Sequence, residues 1–474
     1  MKKYKTIIGI EVHAELNTQT KAFCGCRNEF GAIPNTLTCP VCMGLPGAVP
    51  SINRKAIELT IATGILLGAE ISNYASFERK NFFYPDMPKG YQWVQYSNPL
   101  CLGGKVRLSD GRVIALNRIH LEEDAARTVH DRSNGDLLID FNRSGIPVVE
   151  IVSDPTEMTG EEVVDFLNNL KRTLIFGGIS KCRTDKGGYR FDINISVKED
   201  SSVALGTRVE LKNLNSSEDV KNAIEYEKLR QSVILEKGDK VAQETRVWSE
   251  EFNRTYLSRN KENVSDYRHI VDPDLKTIEV TDQDIIRIKN SLPESYESRV
   301  NRYLGLGLNR TQIDTITSEK CISDYFDEAI SIINAPREVA GWVINEIMHV
   351  YKNQLRTGFD TIISPINLKT IIELIDSRQI SKTNAKVLFD EVVGTGKSAD
   401  TLAMELELIG KVSDSEIADF VDEMLEDNMD IISDFHNNPD KVMNYFVGKV
   451  KIMTGGRVSA EKVQSLTINR LNRK

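Results

Sequence analysis

The chain has 474 residues, 40% of them apolar and 27% charged, with a formal net charge of −9. That length is long for one core and implies two or three domains, and the composition is that of an ordinary globular protein. No apolar run reaches the roughly 18 residues of a membrane span, nothing at the start reads as an export signal, and seven cysteines in so long a chain argue against a disulfide framework, so a cytoplasmic protein without a membrane partner is expected.

In chain order, "TIIGIEVHAELNT" comes first and alternates as a β-strand does. Ile8, Ile10, Val12, Ala14 and Leu16 point one way, and Gly9, Glu11, His13 and Glu15 the other. A face of carboxylate, imidazole and carboxylate either meets water or binds a divalent metal, since Mg²⁺, Mn²⁺ and Zn²⁺ accept those donors. Next, "FCGCRNEFGAIPNTLTCPVCMG" places Cys24, Cys26, Cys39 and Cys42 in two tight pairs within Gly/Pro-rich turns. Four thiolates so spaced close a tetrahedral Zn²⁺ site with no open position, a staple rather than a catalyst. A redox pair or a chance spacing is the alternative. Cys101, Cys182 and Cys321 read as buried apolar residues.

"SFERKNFFYPDMPKGYQWVQ" sets Arg79, Lys80 and Lys89 among Phe82, Phe83, Tyr84, Tyr91 and Trp93. Cations beside rings suit a nucleotide or nucleic acid, and a hairpin with an aromatic core side has the same pattern. "NRIHLEEDAAR" then offers Glu122, Glu123 and Asp124 near His120. Three acids in a row are a solvated face or a helix start, or else further oxygens for a metal shared with Glu11 and His13. "RFDINISV" adds Asp192 on a strand. Between these, "TGEEVVDFLNNLKRTLIFGG" is a helix with a Thr159/Glu162 capping box, ending at Gly177-Gly178.

Past about residue 290 the spacing is helical. Ala385, Leu388, Phe389 and Val392 form one apolar stripe, and Ile417, Phe420, Val421, Met424 and Leu425 another behind a Ser413/Glu416 capping box. A further helix is expected from Asn438-Pro439 to Gly455-Gly456. "VVGTGKSAD" imitates a phosphate-binding loop, but its first glycine would fall at Glu391, so Gly394 is read as a helix-ending residue. Residues 401–434 carry eleven carboxylates and one lysine, whereas 435–474 carry eight basic residues against two acids. That switch suits a terminal module for phosphates, or a basic tail that binds nothing.

With these stretches in hand, the chain resembles the B subunit of the glutamyl-/aspartyl-tRNA amidotransferase nearly end to end. The likeness rests on "IGIEVHAEL", the cysteine stretch, "ERKNFFYPDMPKGYQ", "HLEEDAAR", "DFNRSGIPVVEIVSD", "GTRVELKNLNS", "QETRVW", "DYRHIVDPD" and "FVGKVKIMTGG". It implies an α+β fold: a catalytic cradle on a mixed or antiparallel sheet over 1–290, with a zinc knuckle at 24–42. A helical domain over 291–400 and a tRNA-binding helical tail over 401–474 follow.

The resemblance also implies a reaction. ATP and Mg²⁺ would phosphorylate the side-chain carboxylate of Glu-tRNA(Gln) or Asp-tRNA(Asn). Ammonia from the family's A subunit, a glutaminase, in a heterotrimer completed by the C subunit, would then displace phosphate. Glu11, His13 and Glu123 match the family's metal-binding positions and are the expected catalytic residues, with Glu122 and Asp192 as further Mg²⁺ ligands. Arg79, Lys80, Lys89 and Tyr91 are the expected ATP or phosphate contacts. Cys24, Cys26, Cys39 and Cys42 match a zinc knuckle that some members carry, and Lys441, Lys449, Lys451 and Arg457 would meet tRNA. The chain departs from the pattern of the family it resembles at "TDKGGYRFD", "DYRHIVDPD" and "GGRVSAEKV". Those changes leave open a non-catalytic tRNA-binding paralogue, or a carboxylate–amine ligase with another substrate.

Overall fold

The computed structural model describes residues 4–131, 135–260, 267–353, 358–377, 379–409, 414–427, 439–454 and 458–471. It divides into two compact units, Met1–Ser298 and Arg299–Lys474.

The strand Tyr4–Glu15 is the axis of the first unit. Ile8, Ile10, Val12 and Ala14 are completely buried, because an alternating strand hides its apolar residues by laying one whole face on a core. It pairs antiparallel with Pro147–Ser153 on one side and with Tyr189–Glu199 on the other. Beyond Pro147–Ser153 lie Val113–Glu123, Cys101–Leu102 and Glu70–Ile71. Beyond Tyr189–Glu199 lie Val209–Lys212, Glu244–Ser249 and Arg254–Asn260. Val209–Lys212 and Glu244–Ser249 run parallel, and the helix Ser217–Glu236 makes the crossover that a parallel pair requires.

Three helices share the core under the sheet's apolar face: Arg54–Leu67, Gly160–Phe176 and Ser217–Glu236. Leu59, Val163, Phe166, Leu170 and Ile224 meet Ile10, Val12, Val149, Ile151 and Ile193 there. The capping box of Thr159 and Glu162 is formed. With one face committed to that core, the charged residues of the central strands are left on the other. A small antiparallel sheet of Ile270–Val271, Glu78–Asn81 and Tyr91–Val94 carries the Arg79–Tyr91 region.

Among the described residues the second unit is helical, so the chain is α+β followed by all-α, as expected. Asp414–Asp427, Pro439–Met453 and Ala460–Leu471 pack on their own core of Ile417, Val421, Leu425, Val442, Phe446, Val450 and Val463. Ser413, Asn438, Gly455 and Gly456, invoked above as caps, lie outside the described residues.

Two local expectations are corrected. The helix Lys382–Thr395 runs through Gly394 and ends at Gly396, which takes the left-handed conformation at φ +70°. Gly394 sits inside the helix at a cost of about 1 kcal/mol relative to alanine. The Gly396-Lys397-Ser398 triplet is spent on structure: a helix end, an ion pair to Glu405 at 2.7 Å, and the N-cap of Ala399–Glu405. Cys101 and Cys182 are buried, but Cys321 is exposed. Its helix, Lys320–Ile332, turns Ile322, Tyr325, Phe326 and Ala329 inward and Cys321 away. Among the described residues no helix is long and apolar enough to cross a membrane.

Candidate active site and metal centres

Register builds the first constellation. His13 lies opposite Glu150 on Pro147–Ser153, and Glu150 lies opposite His120 on Val113–Glu123. Directly opposed residues share a face of the sheet, and Glu122 joins them by alternation along its strand. His13 Nε2 stands 3.1 Å from Glu122 Oε1 and 3.7 Å from Glu150 Oε2, while His120 Nε2 stands 3.2 Å from that same Glu150 oxygen. One donor atom from each of His13, Glu122 and Glu150 falls within 4.8 Å of the others. An imidazole and two carboxylates, largely withdrawn from water, fit a hard or borderline divalent cation.

The carboxylates around His13 favour its protonated form. Burial disfavours the His13 cation, but the hydrogen bond to Glu122 and the charges of Glu122 and Glu150 outweigh it, and its pKa rises to about 9. Burial pushes Glu150 up, yet His120 and then His13 hold it well below the usual carboxylate range. A metal held by these three residues would take the place of the proton on His13.

The other expected residues are distributed around this group. Glu11 lies one row along the same face, opposite Val152 and Asp192, and accepts from Asn194 Nδ2 at 2.8 Å. Burial, and next the charge of Glu150, raises its pKa. Asp192 is engaged by Lys212 at 2.6 Å. Glu123 turns to the opposite face, because successive strand residues alternate. There its carboxylate takes Lys89 Nζ at 2.6 Å and Trp93 N at 3.0 Å. His13 and Glu122 are thus brought together, and Glu11, Glu123 and Asp192 stand outside that cluster.

The cations of the Arg79–Tyr91 region differ in what they hold. Arg79 lies over the Tyr91 ring at 4.5 Å and bonds Asp272 at 2.5 Å and Asp274 at 3.1 Å. Lys80 lies 5.1 Å from the Tyr267 ring, and its charge reaches Glu150. Asp124 is clamped by Arg143 at 2.6 Å and Arg190 at 2.9 Å, and Arg190 is the ladder partner of His13.

Sequence reasoning missed Glu150. Its signal was an acid in the middle of "PVVEIVSD", an apolar strand run, where a charge needs a buried partner.

The second constellation is the cysteine stretch. The sulfurs of Cys24, Cys26, Cys39 and Cys42 lie within 4.8 Å of one another, and none is in a disulfide. Cys39 and Cys42 are 3.9 Å apart at sulfur, close to the edge of about 3.8 Å that zinc–sulfur bonds of about 2.3 Å give a tetrahedron. The four residues therefore fit a tetrathiolate metal. In the second unit, Lys441, Lys449 and Lys451 lie on the helix Pro439–Met453. Lys449 is exposed, with its ammonium 6.0 Å from the Tyr445 ring. Arg457 lies outside the described residues.

A family model described as the GatB/GatE catalytic domain matches residues 6–286, and one described as the GatB domain matches residues 324–471. The B subunit of the aspartyl/glutamyl-tRNA(Asn/Gln) amidotransferase of Thermodesulfovibrio yellowstonii is 38% identical over 468 residues, 98% of this chain and 98% of that protein. The protein of the same name from Thermoanaerobacter sp. (strain X514) is also 38% identical, over 99% of this chain and 100% of its own length.

Proposed function

Since the chain belongs to the family of aspartyl/glutamyl-tRNA(Asn/Gln) amidotransferase B subunits, we propose that the polar face of its central sheet is where that family's reaction takes place. The protein is the B subunit of an ATP-dependent amidotransferase that turns misacylated tRNA into its amide form. The observation that carries the assignment of the site is the convergence of His13, Glu122 and Glu150.

A side-chain carboxylate is a poor electrophile until it becomes an acyl phosphate, so the site must clamp a phosphoryl group and keep water from the product. His13, Glu122 and Glu150 would hold Mg²⁺, with Glu11 and Asp192 beside them in the next row. The chemistry such an ion would supply is neutralisation of phosphoryl charge. Lys80 and Arg190, on the rim of the same group, bind phosphoryl oxygens, and the Arg79–Tyr91 pair flanks the nucleotide. Glu123 acts on the other face by fixing Lys89. Ammonia then displaces phosphate from the acyl carbon.

The same reading assigns the rest of the chain. Residues 1–290 form the catalytic cradle, 291–400 a helical domain and 401–474 a tail whose Lys441, Lys449, Lys451 and Arg457 meet tRNA phosphates. Cys24, Cys26, Cys39 and Cys42 hold structural Zn²⁺. The glutaminase, or A, subunit supplies ammonia from glutamine, and the C subunit completes a cytoplasmic heterotrimer.

The test uses the protein co-purified with its partner subunits, given ATP, Mg²⁺ and ammonium chloride, with labelled Glu-tRNA(Gln) and Asp-tRNA(Asn) followed separately. Formation of Gln-tRNA or Asn-tRNA, lost on Glu11→Ala and on Glu150→Gln, is expected. Failure to amidate either tRNA while binding persists would overturn the reading.

A further inference from the structure

Lys21 has no measurable exposure, and it belongs to neither the sheet's polar face nor the metal ligands. Its backbone is part of the cysteine turn: Lys21 N donates to Cys26 O at 2.9 Å, and Lys21 O accepts from Asn53 Nδ2 at 3.2 Å. The ammonium ends 3.7 Å from Cys42 Sγ and donates to Phe141 O at 3.2 Å. Among the described residues no carboxylate pairs with it.

A buried ammonium that meets a carbonyl and no carboxylate is costly, since a neutral dipole replaces little of its hydration. Four thiolates around a dication carry the complementary problem, because two negative charges remain on the cluster. The lysine answers both. It approaches Cys42, the one fully buried thiol of the four, where water screens the charge least.

We propose that Lys21 is the charge-balancing residue of the tetrathiolate site, retaining its metal through an N–H···S bond to Cys42. The inference rests on the zinc reading of the four cysteines. The bond draws electron density from the sulfur, which makes Cys42 a weaker base and nucleophile and slows the protonation or alkylation that frees the metal.

The experiment compares wild type, Lys21→Met and Lys21→Arg in the co-purified complex. It measures zinc per chain by plasma mass spectrometry, zinc release to a competing chelator, and melting of the zinc-loaded protein. Wild type is expected to hold one zinc, and Lys21→Met to release it about 10 to 100 times faster, the usual scale for losing a partner of a metal ligand. Lys21→Arg, which keeps the charge, is expected to stay close to wild type. In cobalt-substituted Lys21→Met the thiolate-to-metal absorption moves to lower energy, a change that a packing role alone would not produce. Equal release rates and an unmoved band in a zinc-bearing wild type and Lys21→Met would overturn the role of Lys21 and leave the zinc site standing. A zinc-free wild type would overturn both. If Lys21→Met does not fold, Lys21→Gln takes its place, and wild-type release from it overturns the proposal equally.

Discussion

Lys89 and Glu123 form a 2.6 Å ion pair in which each side chain is only 1% exposed. A lysine that reads in sequence as a phosphate contact, and a glutamate that reads as a metal ligand, are each other's partner. Removing one member strands the other charge in the interior, which costs about 3–5 kcal/mol. Lys89→Met or Glu123→Gln should each destabilise the protein on that scale, and the double variant should recover most of the loss. Denaturant unfolding of the three variants checks this, and strictly additive losses would contradict it.

Glu150→Gln keeps the shape but removes one of the two carboxylates beside His13. A catalytic metal supplies several kcal/mol of charge stabilisation, so kcat should fall by roughly 100-fold or more. Because Glu150 is also the buried partner of His13 and His120, some stability is lost as well, so kcat is compared at a temperature where the variant remains folded. Titrating Mg²⁺ into the assay should show a weaker apparent metal affinity, whereas an unchanged Mg²⁺ dependence would move the metal elsewhere.

Acid stability should depend on Asp272. Burial works against its charge, but the Trp93 indole N–H at 2.7 Å and Arg79 at 2.5 Å hold its pKa below the ordinary value. A depressed carboxylate adds stability above its unfolded pKa of about 3.9, and loses it as pH falls through the folded value. Asp272→Asn should therefore narrow the gap in melting temperature between pH 7 and pH 3. A parallel shift at both values would contradict the linkage.

Lys449 is exposed on Pro439–Met453. Lys449→Ala should weaken tRNA binding without regard to sequence, and lower the slope of log affinity against log salt by roughly one. Filter binding across a salt series reads this directly. An unaltered slope would exclude Lys449 from the phosphate contacts.

Which features were legible in sequence follows from the range over which they are specified. The first strand declared both faces, because alternation is local, and the Thr159 cap and the cysteine pairs are local too. Glu150 was hidden because its partner His13 is supplied by register with a distant strand. Arg79 looked free for the same reason: its partner Asp272 is 193 positions away. The parting of Glu122 and Glu123 could have been read from alternation, once "IHLEE" was taken as strand rather than helix start. The helix end at Gly396 needed the left-handed geometry itself, since Gly394 is an equally plausible terminator by composition.

The placement of Tyr4–Glu15 between Pro147–Ser153 and Tyr189–Glu199 has a consequence for how the protein is made. The strand is synthesised well before its partner Tyr189–Glu199 exists. At about 5–20 residues per second, roughly 10 to 40 s separate the synthesis of Glu15 from that of Glu199. Throughout that interval Ile8, Ile10 and Val12 lack one or both of their flanking strands. A chaperone that shields the nascent chain therefore has a long task at the segment that later carries His13.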